Sequence, residues 1–126
     1  MTTLSATFTI DLRPGEPIPT AAGRFEFTKT WSGALEGTSH GTMLTAGDPG
    51  TGNAGYVAIE IFEGTLDGVP GGVTLQQLGT MAGGDPVLEY VIAPGSGTGE
   101  LAETYGRLTI DAIDDDGVHL VSLEQA

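Results

Sequence analysis

The residue of this sequence best suited to chemistry is Glu60, which lies in the middle of an apolar segment. Tyr56, Glu60 and Phe62 are separated by even numbers of residues, and alternate residues of a β-strand point to the same face. Burial of a carboxylate among aromatic side chains favours its protonated form, which suits it to general acid or base catalysis. We therefore predict Glu60 as a catalytic residue. The alternative is that this face points outward, or that Glu60 only accepts hydrogen bonds across the sheet.

A lysine has similar surroundings on an earlier segment. Lys29 is flanked at even spacing by Phe27 and Trp31, so an interior position for the aromatic rings would bring the ammonium group inside with them. An ion pair between Lys29 and Glu60 would follow, and we predict Lys29 as the second catalytic residue. The alternative is that Lys29 lies near the rim of the fold and its amine extends into water.

Aromatic and amide side chains on the same faces could hold a small apolar molecule. Gln76 and Gln77 point to opposite faces of one strand. Gln77 shares its face with Val73 and Leu75, which makes it the better pocket residue, able to orient a ligand without driving chemistry. The predicted ligand-binding residues are Trp31, Tyr56, Phe62, Gln77 and Tyr90. The alternative for the aromatic residues is that they fill the core.

Apolar and polar residues alternate along most of the chain, which predicts about eight β-strands. The predicted strands cover residues 7–12, 24–35, 38–46, 56–66, 73–81, 87–93, 107–113 and 118–123. Strands of this length, joined mainly by short turns and without crossover helices, are typical of an up-and-down barrel or a sandwich. We favour an all-β antiparallel barrel of about eight strands, because closure removes exposed edges and few strand lysines or prolines protect them here.

Glycine-rich and proline-rich segments mark the predicted connections. Hairpin turns are expected at residues 67–68 and 114–117, a turn at 83–86 and a tight connection at 36–37. Residues 47–55 contain nothing that could pack, and we expect a mobile loop there. Residues 100–103 could form a single helical turn and no more. Connections of this kind give the strands the order of a meander.

Composition excludes several classes of partner and cofactor. Seventeen acidic against four basic residues give a net charge of −13, which repels phosphate backbones and anionic lipid, so we expect neither nucleic acid nor membrane as a partner. The chain has no cysteine, which excludes disulfides and zinc sites of the Cys type. His40 and His119 have no further ligands at a recognised spacing. We expect no metal and no cofactor.

Length and the first residues bear on organisation and location. The 126 residues fit one domain, residues 1–126, with a core of its own. Residues 1–5 contain neither a basic start nor an apolar run. No stretch approaches the roughly 20 apolar residues needed to span a bilayer. These features predict a cytoplasmic protein.

Four segments of the chain resemble a known bacterial family. They are KTWSG at 29–33, GYVAIE at 55–60, FEGTLDG at 62–68 and PGSGTGEL at 94–101. That family consists of small domains of unknown function whose barrel is similar to allene oxide cyclase. The resemblance implies a closed barrel of about eight strands that commonly self-associates and whose interior, in the plant cyclases, holds an apolar substrate. It implies no established reaction.

The chain departs from the family pattern at three positions. Gln77 stands where a His usually follows Gln76, Val69 stands where an Arg follows the hairpin glycine, and Tyr90 lies near a usual Trp. Any activity that needs that His or Arg is therefore in doubt for this chain.

Two hypotheses of function follow. In the first, the barrel encloses a small apolar molecule between Trp31, Tyr56 and Phe62; if it is an enzyme, it catalyses a cofactor-free isomerisation, cyclisation or elimination with Glu60 and Lys29. In the second, the protein is a non-catalytic homo-oligomeric module that assembles through Val57, Ile59 and Ile61. The two hypotheses differ in which face of residues 56–66 is interior.

Overall fold

The computed structural model describes residues 2–19 and 22–126, most of which belong to β-strands. The strands are β1 (Thr2–Pro14), β2 (Arg24–Gly33), β3 (Leu35–Asp48), β4 (Asn53–Leu66), β5 (Val69–Ala82), β6 (Asp85–Ile92), β7 (Thr98–Gly99), β8 (Gly106–Ile113) and β9 (His119–Gln125). A 3₁₀ turn over Pro49–Thr51 connects β3 to β4. In the two described ranges, no helix is long and apolar enough to cross a membrane.

Eight of these strands close into an antiparallel barrel. They pair in the order β4-β3-β2-β1-β9-β8-β6-β5, and a further pairing of β4 with β5 completes the ring. The two-residue strand β7 pairs only with Gly71 and Gly72 of β5. The predicted fold class, an all-β antiparallel barrel of about eight strands, is confirmed.

The burial pattern of β4 shows which strand faces are interior. Glu60 and Phe62 expose 1% and 0% of their surface, whereas Val57, Ile59 and Ile61 expose 50%, 49% and 50%. Strands β3 and β5 pair with β4 residue by residue, so their residues opposite Glu60 and Phe62 point to the same side of the sheet as these two. The face with the aromatic residues and Glu60 lies inside the barrel, and the aliphatic face lies outside.

The two ends of the barrel differ in how they are covered. At one end, the segment between β6 and β8 packs against the barrel and inserts Leu101, which is 2% exposed. We call this the closed end, and its apolar core consists mainly of Leu35, Phe62, Leu66, Val73, Leu75, Ile92, Leu108 and Leu123. The opposite, open end carries the Pro49–Thr51 turn and the hairpins that follow β5 and β8.

Most of the predicted turns are confirmed, but two connections differ. The chain reverses at Ala34, not at residues 36–37, and Gly37 lies inside β3, where it pairs with Trp31 and Gly64. A Cβ on Gly37 would lie 2.2 Å from the carbonyl oxygen of Glu63. Glycine is needed there because the backbones of β3 and β4 approach closely. From the sequence pattern alone, the same glycine indicates a turn.

The loop expected over residues 47–55 is much shorter. Only residues 49–52 lie outside the strands, because Gly47 and Asp48 extend β3 and pair with Ala54 and Asn53 of β4. Asp48 caps the 3₁₀ turn by accepting a hydrogen bond from the Gly50 amide at 2.9 Å. A capped turn and continued strand pairing thus replace most of the predicted loop.

The barrel wall is incomplete between β6 and β8. These strands pair only at Val91–Arg107 and Ile92–Gly106, near the closed end. Towards the open end, residues 85–90 of β6 and 108–113 of β8 lack strand pairing with each other. A notch in the wall therefore runs from the open end to the level of Val91.

Candidate functional site

Lys29 and Glu60 form an ion pair in the barrel interior. Strand β2 holds Lys29 and β4 holds Glu60 on inward faces on either side of β3, and Lys29 Nζ lies 2.7 Å from Glu60 Oε1. The two side chains expose only 2% and 1% of their surface. The alternative in which the Lys29 amine extends into water is therefore wrong.

Four donors surround the Glu60 carboxylate. Oε1 accepts hydrogen bonds from Lys29 Nζ at 2.7 Å, from the Tyr90 hydroxyl at 2.8 Å and from Gln77 Nε2 at 3.3 Å. Oε2 accepts one from Ser39 Oγ at 2.5 Å. The carboxylate is therefore already held by four donors, three on Oε1 and one on Oε2.

The Lys29 ammonium also lies among aromatic rings. Its Nζ is 4.2 Å from the ring centre of Phe8, 5.0 Å from that of Tyr90 and 5.3 Å from that of Phe27, within the range of cation–π attraction. Burial lowers the pKa of Lys29, and the negative charge of Glu60 opposes this shift. Burial and the Glu60 charge raise the pKa of Tyr90 well above its usual value. The phenol therefore keeps the proton that it donates to Glu60.

Small residues on β3 make room for these long side chains. Gly41 pairs with Phe27 and Glu60, and a Cβ on it would lie 2.4 Å from Phe27 Cζ and 2.8 Å from Glu60 Cβ. Ser39, on the same face, accepts a hydrogen bond from Trp31 Nε1 at 3.0 Å and donates to Glu60. Sequence reasoning missed both small residues. Ser39 and Gly41 are two residues apart on the strand that lies between those of Lys29 and Glu60, and this spacing was the signal that both point to the same face.

Tyr56 and Gln77 connect the ion pair to the open end. The Tyr56 hydroxyl donates to Gln77 Oε1 at 2.8 Å, and Gln77 Nε2 donates to Glu60. Burial and the charge of Glu60 raise the pKa of Tyr56, so its hydroxyl stays protonated. As predicted, Gln77 points inward and Gln76 is exposed.

A cavity of about 790 Å³ occupies the open end above Tyr56. Its apolar side chains include Phe25, Met43, Met81, Leu88 and Ile110. Leu88 and Ile110 stand on β6 and β8, on the two sides of the notch, so the cavity extends to the gap in the wall. Among the lining residues that the structure describes, none is charged.

Gly79 determines where the ring of Tyr56 lies. The two residues pair across β4 and β5, and a Cβ on Gly79 would lie 2.3 Å from Tyr56 Cε1. The Tyr56 ring therefore lies flat over the glycine, with its hydroxyl directed to Gln77. Aromatic side chains commonly cover glycines of neighbouring strands in this way.

The predicted site residues are divided among a hydrogen-bonded network, the cavity lining and the packed core. Lys29, Glu60, Gln77 and Tyr90 meet in one hydrogen-bonded network, which Trp31 joins through Ser39. Among the predicted ligand-binding residues, Tyr56 lines the cavity. Trp31, Phe62 and Tyr90 lie in the packed core.

The cavity walls were not singled out from the sequence. Phe25 lies on the inward face of β2 together with Phe27, and Met81 lies on that of β5 together with Gln77. The same period-two pattern therefore places Phe25 and Met81 on inward faces. It did not indicate how far the filled core extends along each strand.

The fold and the site together define a class of protein: a closed eight-stranded antiparallel barrel with a buried lysine–glutamate pair beneath an apolar cavity. Residues 4–124 match the model of the DUF3224 family, described as proteins of unknown function. The chain belongs to the DUF3224 family. The resemblance to a family of small barrel domains of unknown function is thereby confirmed.

A solved structure of the same family is very similar. It is the crystal structure of a protein with unknown function from the DUF3224 family of Shewanella oneidensis MR-1. That protein is 37% identical in sequence, the match covers 100% of this chain and 96% of that one, and the TM-score is 0.92. The comparison with curated proteins finds no match.

Proposed function

We propose that the barrel binds one small, uncharged apolar molecule in the cavity at its open end. The uncharged lining is the observation that carries this proposal, because the chain as a whole has 17 acidic and 4 basic residues. Small-molecule pockets commonly measure about 300–1,000 Å³ and are mostly apolar with a few polar groups. The cavity of about 790 Å³ lies within this range. Tyr56 is its polar group next to the buried network.

Catalysis by Glu60 and Lys29 stays a separate prediction. A cofactor-free isomerisation, cyclisation or elimination needs an acid or base within hydrogen-bond reach of the substrate. Tyr56 and Gln77 stand between the cavity and Glu60, which already accepts hydrogen bonds from four side chains. This geometry favours binding over turnover, with the ion pair supporting the floor of the cavity.

Nile red, an uncharged apolar dye that fluoresces in apolar surroundings, tests the binding proposal. We expect one dye molecule per chain after co-purified small molecules have been extracted. Met81→Trp places a large ring in the cavity, and we expect it to weaken dye binding at least about tenfold, the effect of roughly 1.4 kcal/mol.

The matched control is Leu120→Trp, which adds the same ring at an exposed position of β9, across the barrel from β4. We expect this variant to bind the dye as the wild type does. Urea denaturation of both variants verifies that they are folded. Absence of dye binding to the extracted wild-type protein, or equal binding by Met81→Trp, would contradict the proposal.

A second candidate function is self-association through the outer face of β4. Val57, Ile59 and Ile61 form a row of half-exposed aliphatic side chains there, next to Leu44 of β3 and Leu78 of β5. We propose a second copy of the chain as the partner. This face is free of charged side chains at its centre, so two copies with a net charge of −13 each could meet there without burying like charges.

A further inference from the structure

We infer that the preferred ligand of the cavity is an uncharged apolar alcohol, whose hydroxyl group donates a hydrogen bond to the Tyr56 oxygen. This inference rests on the proposed binding function and names the chemical class of the ligand. It follows from the direction of the hydrogen bonds that lead from Glu60 to the cavity.

Glu60 fixes the direction of the first hydrogen bond. A carboxylate only accepts hydrogen bonds, and the ion-pair partner of this one, the Lys29 ammonium, lies 2.7 Å from Oε1. The Gln77 side chain must therefore turn its NH₂ group towards Glu60, where Nε2 lies 3.3 Å from Oε1. That orientation leaves the Gln77 carbonyl oxygen facing Tyr56.

The second hydrogen bond, between Tyr56 and Gln77, has its donor and acceptor fixed by the first. The Gln77 oxygen can only accept, so the Tyr56 hydroxyl donates its single proton to it at 2.8 Å. The raised pKa of Tyr56, caused by burial and by the charge of Glu60, keeps that proton in place. Tyr56 lines the cavity, and the remaining capacity of its phenol oxygen is to accept a hydrogen bond.

Other ligand head groups match this acceptor less well. An ether or ketone has only acceptor atoms, so at Tyr56 it would have to draw the proton away from Gln77 and leave the Gln77 oxygen without a partner. A carboxylate would find no cation in the cavity lining, and the Lys29 charge is already paired with Glu60. A protonated amine would lose its hydration without gaining an opposite charge. An alcohol satisfies Tyr56 without breaking an existing bond.

Two isomers with the same atoms test the inference. 1-Octanol and heptyl methyl ether differ in whether the oxygen carries a proton, and octanoate adds a charge to the same chain. Their affinities follow from displacement of Nile red from the wild-type protein. We expect 1-octanol to bind about fivefold more tightly than the ether, as one net hydrogen bond allows. We expect octanoate to bind at least about tenfold more weakly than 1-octanol.

Two variants show whether Tyr56 and Gln77 cause this preference. Tyr56→Phe removes the acceptor, and we expect the advantage of 1-octanol over the ether to disappear. Gln77→Met frees the Tyr56 proton for the ligand, and we expect the two isomers to bind within about twofold of each other, as loss of that one net hydrogen bond implies. Dye affinity is measured separately for each variant, so that a change in the cavity is not mistaken for a change in preference.

The outcomes separate this inference from the proposed function. Equal binding of the two isomers to the wild type, or an unchanged preference in Tyr56→Phe, would overturn the inference and leave the apolar cavity as a binding site. Failure of Nile red to bind the extracted wild-type protein would overturn the proposed function itself.

Discussion

At the residue scale, the interior depends on the Lys29–Glu60 ion pair and on the donors around it. Removing two charges from water is costly, and their attraction compensates only when the remaining hydrogen-bonding positions are also satisfied. Here Ser39, Tyr90 and Gln77 complete the carboxylate. In residues 2–19 and 22–126, no buried side-chain nitrogen or oxygen lacks a partner. Loss of one member of the pair should therefore be worse than loss of both.

Glu60→Gln leaves the buried Lys29 ammonium without its opposite charge. We expect the variant to lower the free energy of unfolding by about 3–5 kcal/mol, as the loss of one partner of a buried pair does. The double variant Lys29→Met, Glu60→Gln removes both charges, and we expect it to regain more than half of that loss. Urea denaturation at pH 7 measures all three proteins.

The control for this prediction is Glu89→Gln. Glu89 pairs with Arg107 at 3.1 Å on the surface, where both side chains are more than half exposed. Exposed pairs contribute about 0–1 kcal/mol, so this variant should unfold almost as the wild type does. A Glu60→Gln protein as stable as Glu89→Gln would show that the interior does not depend on the ion pair.

At the element scale, β4 and β6 differ in how they are held. Strand β4 pairs along nearly its whole length with β3 on one side and β5 on the other. Strand β6 pairs with β5 over residues 85–92 but with β8 only at Val91 and Ile92. The notch between β6 and β8 makes this part of the wall the easiest to open, next to the cavity.

Hydrogen exchange should show this difference directly. We expect amides of residues 85–90 that point away from β5 to exchange much faster than amides in the middle of β4, because they lack a partner strand. Exchange monitored by NMR at each residue measures both sets. Amides of β6 that point towards β5 are the internal control and should be protected. Equal protection of all β6 amides would mean that the wall is closed.

At the scale of the whole molecule, charge and the outer apolar face act against each other. A net charge of −13 keeps copies of the chain apart through long-range repulsion. The row of Val57, Ile59 and Ile61 offers apolar area that association would remove from water. Salt screens the repulsion and leaves apolar burial in place. Association through this face should therefore depend on ionic strength.

Sedimentation equilibrium tests the proposed self-association. We expect the wild type to form oligomers whose stability increases from about 0.01 M to about 0.15 M salt, as the Debye length falls from about 30 Å to about 8 Å. Ile59→Asp places a charge at the centre of the row and should yield a monomer. Leu120→Asp, on the opposite side of the barrel, is the matched control and should associate as the wild type does. A monomeric wild type at both salt concentrations would contradict the proposal.

The sequence by itself determined the class of fold and placed Lys29 and Glu60 on the same strand faces as aromatic residues. Period-two alternation is a local property of each strand, so the strands and the shared face of Glu60 and Phe62 could be predicted without knowledge of neighbours. Hairpins such as that at residues 67–68 follow from local turn chemistry in the same way.

Only the tertiary structure decided which face is interior, where the strands leave a gap and which side chains reach the cavity. Gly37 illustrates the reason, since its role depends on how closely β4 approaches, which the residues beside it in the chain do not specify. The direction of the Tyr56–Gln77 hydrogen bond likewise depends on Glu60, which the pairing of β4 with β5 brings next to Gln77. Contacts between residues of different strands exist only once those strands have paired, so a pattern confined to single strands cannot contain them.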